Sequence, residues 1–335
     1  MLRNKRAPLG RLLMIGLPGI DLDRESLSLI REYGVGNFIL FERNVKGGPD
    51  KTKKLCDDLN EACYDAGLPL PVIAVDQEGG PVQRLGPPFW PEIPSNEEMV
   101  LSEKSSSYVN VQAETAAKIL NSLGIKLNLA PVLDLAPAGA VGVLKGRSYG
   151  ADPRTVSIMG EKYIQILQAN GVGATAKHFP GIGRVEKDPH LQRPSVTASK
   201  KTLTKEMYPF RRGIKAGVKA VMTSHVVFPS LDEYEPATFS EIIANRILRH
   251  ELGFEGLLMT DDLEMGGIVN HVSLGEAAVK AILAGHDLLL ICHRIQRIKE
   301  ALKSLEKAWS QGLLKARKLE LNLSRIDGIT HSIRR

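Results

Sequence analysis

Short hydrophobic runs alternate along the chain with longer amphipathic segments. The short runs have the length and composition of strands, and the longer segments repeat apolar residues at helical spacing. Eight strands are predicted, at 11–17, 37–41, 71–76, 126–130, 173–178, 218–224, 256–260 and 286–292. Eight helices are predicted, at 24–33, 51–66, 109–123, 155–170, 204–216, 242–252, 274–284 and 297–311.

This strand-helix alternation continues without a linker or a change in composition. It is typical of a parallel sheet, and eight repeats favour closure into a barrel. The prediction is therefore an α/β fold, a (β/α)8 TIM barrel, with residues 1–335 forming a single domain. A doubly wound open sheet is the alternative. The long loops at 86–102, 136–153 and 180–199 follow predicted strands three, four and five, at the end of a barrel where active sites lie.

Charge and hydropathy narrow the classes of partner. The net charge of +6 is scattered over 335 residues, which indicates a solvated surface and not a nucleic-acid site. The apolar run near the amino terminus, 12–17, is too short for a signal peptide, and no later run approaches the roughly 18 residues of a spanning helix. We therefore expect a cytoplasmic protein that binds neither nucleic acid nor membrane. We also expect a monomer, although nothing in the sequence pattern indicates the oligomeric state.

The three cysteines indicate neither a disulfide nor a metal site. Cys56 and Cys63 are seven residues apart in a predicted helix, about 10 Å along its axis, which is too far for a disulfide. Cys292 lies in a distant apolar run, and three thiols without close spacing do not make a metal site. No metal or organic cofactor is predicted.

Ionisable residues end five of the predicted strands. Burying such a residue unpaired is costly, so packing alone does not explain it. One of them alone could cap a helix or be a hydrogen-bonded core residue, whereas five strand ends together favour a functional site. These residues are Asp76, Asp134, Lys177 with His178, His225, and Asp261 with Asp262.

The tandem acids Asp261 and Asp262 admit a metal, but successive strand residues face opposite sides, so we expect only one to point inward. One inward carboxylate with a histidine nearby suits retaining glycoside hydrolysis, in which the carboxylate attacks and the histidine protonates the leaving oxygen. Asp188 and His190 are close enough for the aspartate to hydrogen-bond one ring nitrogen and support the protonated form. A surface Asp-Pro turn beside an unrelated histidine fits the same spacing.

Over nearly its whole length the sequence resembles glycoside hydrolase family 3, in particular its short cytoplasmic β-N-acetylglucosaminidases of peptidoglycan recycling. The resemblance rests on an ordered set of motifs: DQEGGPVQR, NLAPVLDL, GRSYGADP, KHFPGIGRVEKDPH and MTDDLEM. It implies a (β/α)8 barrel and a retaining β-N-acetylhexosaminidase that removes terminal β-linked N-acetylglucosamine from muropeptides.

The resemblance also implies roles for individual residues. The family's nucleophile falls on Asp261, and its acid/base dyad falls on Asp188 and His190. The positions that bind the sugar fall on Asp76, Arg84, Arg147, Lys177 and His178.

Four other functions stay open at this point. A phosphorylase is conceivable, because a neutral histidine repels phosphate less than a carboxylate would. Substrate-assisted hydrolysis, with attack by the acetamido group, would give the two tandem acids a joint role. Another β-glycosidase of family 3 is a third possibility, and a sugar-binding barrel without turnover is the fourth.

Overall fold

Eight parallel strands close into a barrel. The computed structural model describes residues 8–102, 105–137, 139, 142–185 and 194–331. Each strand pairs in parallel with the next along the chain, and the last pairs with the first. The predicted (β/α)8 barrel is confirmed. Its strands are β1 (Leu13–Gly16), β2 (Asn37–Leu40), β3 (Val72–Val75), β4 (Leu127–Asn128), β5 (Gly173–Phe179), β6 (Ala220–Thr223), β7 (Leu257–Asp262) and β8 (Leu288–Ile291).

Burial on both faces explains the continuous hydrophobic runs of these strands. Every residue of β2, β3, β6 and β8 is buried, as expected where side chains fill the barrel on one face and meet helices on the other. That all of 1–335 forms one domain stays a prediction, because the described residues do not cover the whole chain.

Helices follow the strands and cover the barrel. Several begin at a side chain that accepts a hydrogen bond from the first turn, as Asp23, Asp152, Ser199 and Ser273 do. The helices are Leu9–Leu12, Arg24–Tyr33, Glu42–Val45, Gly48–Asp65, Asn96–Leu101, Ser105–Leu123, Gly142–Leu144, Pro153–Ala169, Lys200–Glu206, Tyr208–Lys215, Ile242–Glu251, Gly266–Val269, Leu274–Ala284, Ile295–Ser310 and Ala316–His331.

The helix predicted at 204–216 is wrong in its bounds. The segment forms two helices, Lys200–Glu206 and Tyr208–Lys215, which meet at Met207. Pro209 lies in the first turn of the second helix, where its missing N–H is tolerated, whereas inside one continuous helix it would break the hydrogen-bond ladder. The sequence analysis also missed the helix Ala316–His331, which follows the last strand-helix repeat.

The three cysteines are free and buried. Burial raises the pKa of both Cys56 and Cys63 to about 12, which keeps these thiols protonated at neutral pH. Within the described residues, no helix has the length and hydrophobicity needed to cross a membrane.

A buried aspartate fastens two helices to the amino end of the barrel. Asp287, just before β8, accepts hydrogen bonds from Arg249 (2.6 Å) and Arg325 (3.0 Å) and from the backbone N–H of Leu258 (2.9 Å). Arg249 belongs to the helix Ile242–Glu251 and Arg325 to the helix Ala316–His331. One carboxylate therefore connects both helices to β7 and β8.

We expect Asp287→Ala to lower the free energy of unfolding by about 3–5 kcal/mol, because it leaves two partly buried guanidinium groups without their counter-ion. Urea denaturation measures this loss. The matched control is Asp57→Ala, which removes an exposed i,i+4 partner of Lys53 and should cost less than about 1 kcal/mol. Equal losses in the two variants would contradict the role given to Asp287.

Candidate active site

The sugar-binding positions and the nucleophile implied by the resemblance lie together at the carboxyl end of the barrel. They line one cavity of about 290 Å³ formed around the ends of β3, β5 and β7. These residues are Asp76, Arg84, Arg147, Lys177, His178 and Asp261. Asp188 and His190 lie outside the described residues, so their expected role stays a prediction from the sequence.

A hairpin directly after β3 brings Asp76 and Arg84 together. Its two strands are Gln77–Gly79 and Val82–Gln83, and the Arg84 N–H donates to the carbonyl oxygen of Asp76. Its turn requires glycine, because Gly80 has a φ of 55° and a Cβ there would collide with Ser95. The motif DQEGGPVQR therefore builds one wall of the cavity, with the Arg84 guanidinium 3.5 Å from the Asp76 carboxylate.

Glu78, which the sequence analysis did not single out, joins the two central cations of the cavity. Its carboxylate forms an ion pair with Lys177 Nζ at 2.6 Å and accepts a bidentate pair of hydrogen bonds from Arg147 Nε (2.8 Å) and Nη2 (2.7 Å). Lys177 Nζ also donates to Asp76 Oδ1 at 2.8 Å. The signal for Glu78 was its place in the motif, two residues after Asp76.

This cluster keeps its charges at neutral pH although it is buried. Burial alone would lower the pKa of Lys177, but the carboxylates of Asp76 and Glu78 reverse the shift and raise it. Burial would likewise raise the pKa of both acids, yet Lys177 and the arginines lower it. The cavity therefore presents fixed charges whose hydrogen-bond directions are set before any ligand binds.

Asp134 holds His178 in one orientation. Its Oδ2 lies 2.7 Å from His178 Nδ1 and also accepts the His178 backbone N–H at 3.1 Å, while Oδ1 accepts the N–H of Ile182 at 2.8 Å. Because the carboxylate only accepts, Nδ1 carries the hydrogen, and Nε2 is directed towards Arg147 Nη2 at 3.5 Å. Asp134, a strand-end residue of the sequence analysis, thus supports a neighbour that lines the cavity.

The expectation that only one of the tandem acids points inward is wrong, because both Asp261 and Asp262 border the cavity. The pairing of β7 with β8 is irregular there: Met259 pairs with Leu288 and Asp262 with Leu290, three residues against two. Such a bulge breaks the alternation of side chains on which the expectation rested.

The two acids nevertheless differ in their partners. Asp262 Oδ1 accepts the backbone N–H groups of Glu264 (3.0 Å) and Cys292 (3.3 Å), and its Oδ2 lies 3.3 Å from His293 Nε2. Burial raises the pKa of Asp262 to about 7. Asp261 accepts one hydrogen bond from the described residues, from the Asp262 N–H to Oδ1, which leaves Oδ2 open to a ligand.

His225 supports this strand end. Its Nδ1 lies 2.6 Å from Thr238 Oγ1 and its Nε2 lies 2.8 Å from the carbonyl oxygen of Asp262, so both ring nitrogens are engaged. Burial lowers its pKa, which favours the neutral ring.

Two further cavity residues escaped the sequence analysis. Phe41 follows β2, and His293 lies just after β8, with the two ring centroids 5.4 Å apart. The Arg84 guanidinium lies 5.9 Å from the centre of the Phe41 ring. Reading the ends of the second and eighth predicted strands as closely as the others would have found both.

Curated relatives named beta-hexosaminidase resemble this chain along most of its length. The protein of Thiobacillus denitrificans is 33% identical over 313 residues, covering 89% of this chain and 82% of that protein. The protein of Vibrio cholerae serotype O1 is 34% identical over 308 residues, covering 90% of each.

Solved structures of similar fold include two enzymes with related names. A glycoside hydrolase family 3 beta-N-acetylglucosaminidase from Paenibacillus sp. FPU-7 has a TM-score of 0.91 and 34% identity, with 99% of this chain covered. This chain spans 63% of that solved chain. A beta-N-acetylhexosaminidase from Beutenbergia cavernae has a TM-score of 0.87 and 28% identity, covering 97% of this chain and 98% of the other.

The match to a protein family covers the barrel and all the cavity residues described above. Residues 2–328 match the model described as the N terminal domain of glycosyl hydrolase family 3, and the chain therefore belongs to that family.

Proposed function

We propose that this protein is a retaining β-N-acetylhexosaminidase that hydrolyses terminal β-linked N-acetylglucosamine. The observation that carries the proposal is the position of Asp261, a carboxylate with one open oxygen at the edge of a cavity built from buried ion pairs. The names of the similar proteins support the choice of an N-acetylated hexose.

The buried charges suit the hydroxyl groups of a pyranose. Lys177 Nζ has three hydrogens, donates one to Asp76 and forms an ion pair with Glu78, so a hydrogen is left to bind a sugar hydroxyl. Asp76 contributes acceptor oxygens, and His178 and Arg84 face the same space. Since these groups are fixed by one another, the sugar is bound without rearranging them.

Asp261 is the nucleophile of the proposed mechanism. Its open oxygen attacks the anomeric carbon as the bond to the leaving oxygen breaks, which gives a covalent glycosyl-aspartate. His190, supported by Asp188, donates a proton to the leaving oxygen and then takes one from the water that releases the sugar. The assignment of this dyad rests on the sequence motif.

Two alternatives differ from this mechanism in what they consume or form. A phosphorylase would require inorganic phosphate for turnover. Substrate-assisted hydrolysis would form an oxazoline on the sugar and no bond to the protein. Because both Asp261 and Asp262 border the cavity, the alternation of strand side chains does not argue against it, and the covalent adduct decides. A muropeptide source, a cytoplasmic location and a monomeric state remain predictions.

We expect a 5-fluoro-N-acetylglucosaminyl fluoride to label Asp261 covalently. Fluorine at C5 slows both steps by destabilising their positively charged transition states, while fluoride leaves readily, so the intermediate accumulates. Mass spectrometry of the digested protein locates the label. The Asp261→Asn variant should not be labelled, and labelling elsewhere, or none with an active enzyme, would overturn the assignment of the nucleophile.

Turnover is measured at several phosphate concentrations, with an aryl β-N-acetylglucosaminide as substrate and an aryl β-glucoside as control. Turnover that is independent of phosphate and specific for the N-acetyl sugar supports the proposal. Turnover that requires phosphate would favour the phosphorylase. Absence of turnover of either glycoside would favour a sugar-binding barrel.

Glu78→Gln should lower kcat/KM on the order of 10- to 100-fold, since the ion pair with Lys177 and the charge-assisted bidentate pair with Arg147 are lost. The loss should fall mainly on KM, because these cations position the sugar. Removing one carboxylate also lowers the pKa of Lys177, so the loss of activity at high pH should begin at lower pH than in the wild type.

The matched control for this prediction is Glu61→Gln, which changes the same side chain at an exposed position of the helix Gly48–Asp65. Thermal unfolding of both variants separates loss of fold from loss of positioning. An unchanged pH profile in Glu78→Gln would contradict the positioning role of Glu78.

A further inference from the structure

His293 and Phe41 form one wall of the sugar cavity, the cavity of about 290 Å³ that Asp261 borders. His293 follows β8 and Phe41 follows β2. These two strands flank β1 in the closed barrel, whereas β5 lies opposite to β1. The wall is therefore built from described residues, on the side of the barrel away from the loop after β5.

The His293 ring is held in place although 51% of the side chain is exposed. The backbone N–H of His293 donates to the buried carboxylate of Glu264, and its ring centroid lies 5.4 Å from that of Phe41. Its Nε2 lies 3.3 Å from Asp262 Oδ2. Within the described residues no protein group hydrogen-bonds the other ring nitrogen, Nδ1, so this atom is available to a ligand.

Phe41 gives the same wall an apolar surface. Its ring centre lies 4.5 Å from the Arg43 guanidinium and 5.9 Å from that of Arg84. Arg43 is fixed in turn, because it donates to the carbonyl oxygens of Leu17 and Cys292, each at 2.7 Å. The ends of β1 and β8 therefore help to set the position of the Phe41 ring. The other apolar side chains on this side of the cavity are Ile39, Leu290 and Cys292.

The two edges of a pyranose differ in polarity, and so do the two sides of this cavity. When C1 lies at Asp261, the edge with C2 and C3 carries two polar substituents, the acetamido group and a hydroxyl. The edge with C5 and C6 carries a methylene and one hydroxyl. Arg147 and His178 line the side of the cavity towards β4 and β5. Phe41 and His293, an apolar surface with one available nitrogen, match the C5–C6 edge on the opposite side.

We propose that His293 and Phe41 bind the C5–C6 edge of the sugar, with His293 hydrogen-bonded to the hydroxyl at C6 and Phe41 packed against the methylene. The inference rests on the proposed glycosidase function and adds two specificity-determining residues to it. A hydroxyl both donates and accepts, so it fits Nδ1 whichever nitrogen of the neutral ring carries the hydrogen. Burial and the neighbouring Arg43 lower the pKa of His293, which favours that neutral ring.

The test uses three aryl β-glycosides that differ only at C5: the N-acetylglucosaminide, its 6-deoxy analogue, and the N-acetylxylosaminide, which lacks C6. They share one leaving group, and the effect of each change on intrinsic reactivity is the same for every variant of the protein. In His293→Ala the ratio of kcat/KM for the 6-hydroxy over the 6-deoxy substrate should fall about fivefold to tenfold, as expected for one lost hydrogen bond. His293→Asn places an amide group near the position of Nδ1 and should keep part of this ratio.

Phe41→Ala should act on the other ratio, that of the 6-deoxy substrate over the xyloside. We expect this ratio to fall by up to about fourfold, because the carbon at C6 loses its apolar contact. The matched controls are His250→Ala and Phe89→Ala, which change exposed residues that do not line the sugar cavity, and both should keep the wild-type ratios. Ratios separate sugar recognition from a general loss of activity, and two independent ratios keep the proposal testable if one variant does not fold.

Each result decides the proposal. An unchanged 6-hydroxy over 6-deoxy ratio in His293→Ala would overturn it. So would a change confined to the ratio of the N-acetylglucosaminide over the glucoside, which would place the acetamido edge of the sugar against His293. Both outcomes leave the glycosidase function intact, because the wild type still hydrolyses the parent glycoside. Failure of the wild type to hydrolyse that glycoside would overturn the proposed function and this inference with it.

Discussion

The candidate site depends on one buried lysine held between two carboxylates. The Lys177 side chain is 3% exposed, with Nζ 2.8 Å from Asp76 and 2.6 Å from Glu78. An ammonium group in such a place is tolerated only when it is paired, so the segment after β3 and the end of β5 must keep a fixed separation. Arg147, from the loop after β4, binds the same Glu78 carboxylate. The segments after β3 and β4 and the end of β5 are therefore held together by charge.

The fold could be predicted because short hydrophobic strand segments alternate with longer amphipathic helical segments along the chain. The sugar cavity could be predicted in part, because Asp76, Lys177 and Asp261 lie at the ends of predicted strands. Burying an unpaired charge there is costly, so packing alone does not explain these residues. Glu78 escaped because it lies in a hairpin past the strand, and its importance arises only from contacts with residues about 70 to 100 positions away in the sequence. The break at Met207 escaped because helical periodicity continues across it.

Local rules also failed where tertiary structure altered the backbone. The side-chain alternation of a regular strand would direct Asp261 and Asp262 to opposite faces. The shift in register between β7 and β8 brings both to the cavity, and no feature of MTDDLEM alone marks that shift. The shift is defined by the pairing with β8, beyond which the Cys292 N–H donates to the Asp262 carboxylate. Information held by another strand cannot be read from the motif itself.

The environments of these two neighbouring acids then separate their proposed roles. Asp262 Oδ1 accepts two backbone N–H groups, and its Oδ2 lies beside His293. These contacts fix the turn after β7 against the end of β8. Its pKa of about 7 reflects the cost of burying a charge at that position. Among the described residues, Asp261 accepts only the Asp262 N–H, on Oδ1, and its side chain borders the sugar cavity. A nucleophile needs an oxygen that no protein group already occupies, and among the described contacts of the two acids only Asp261 retains one.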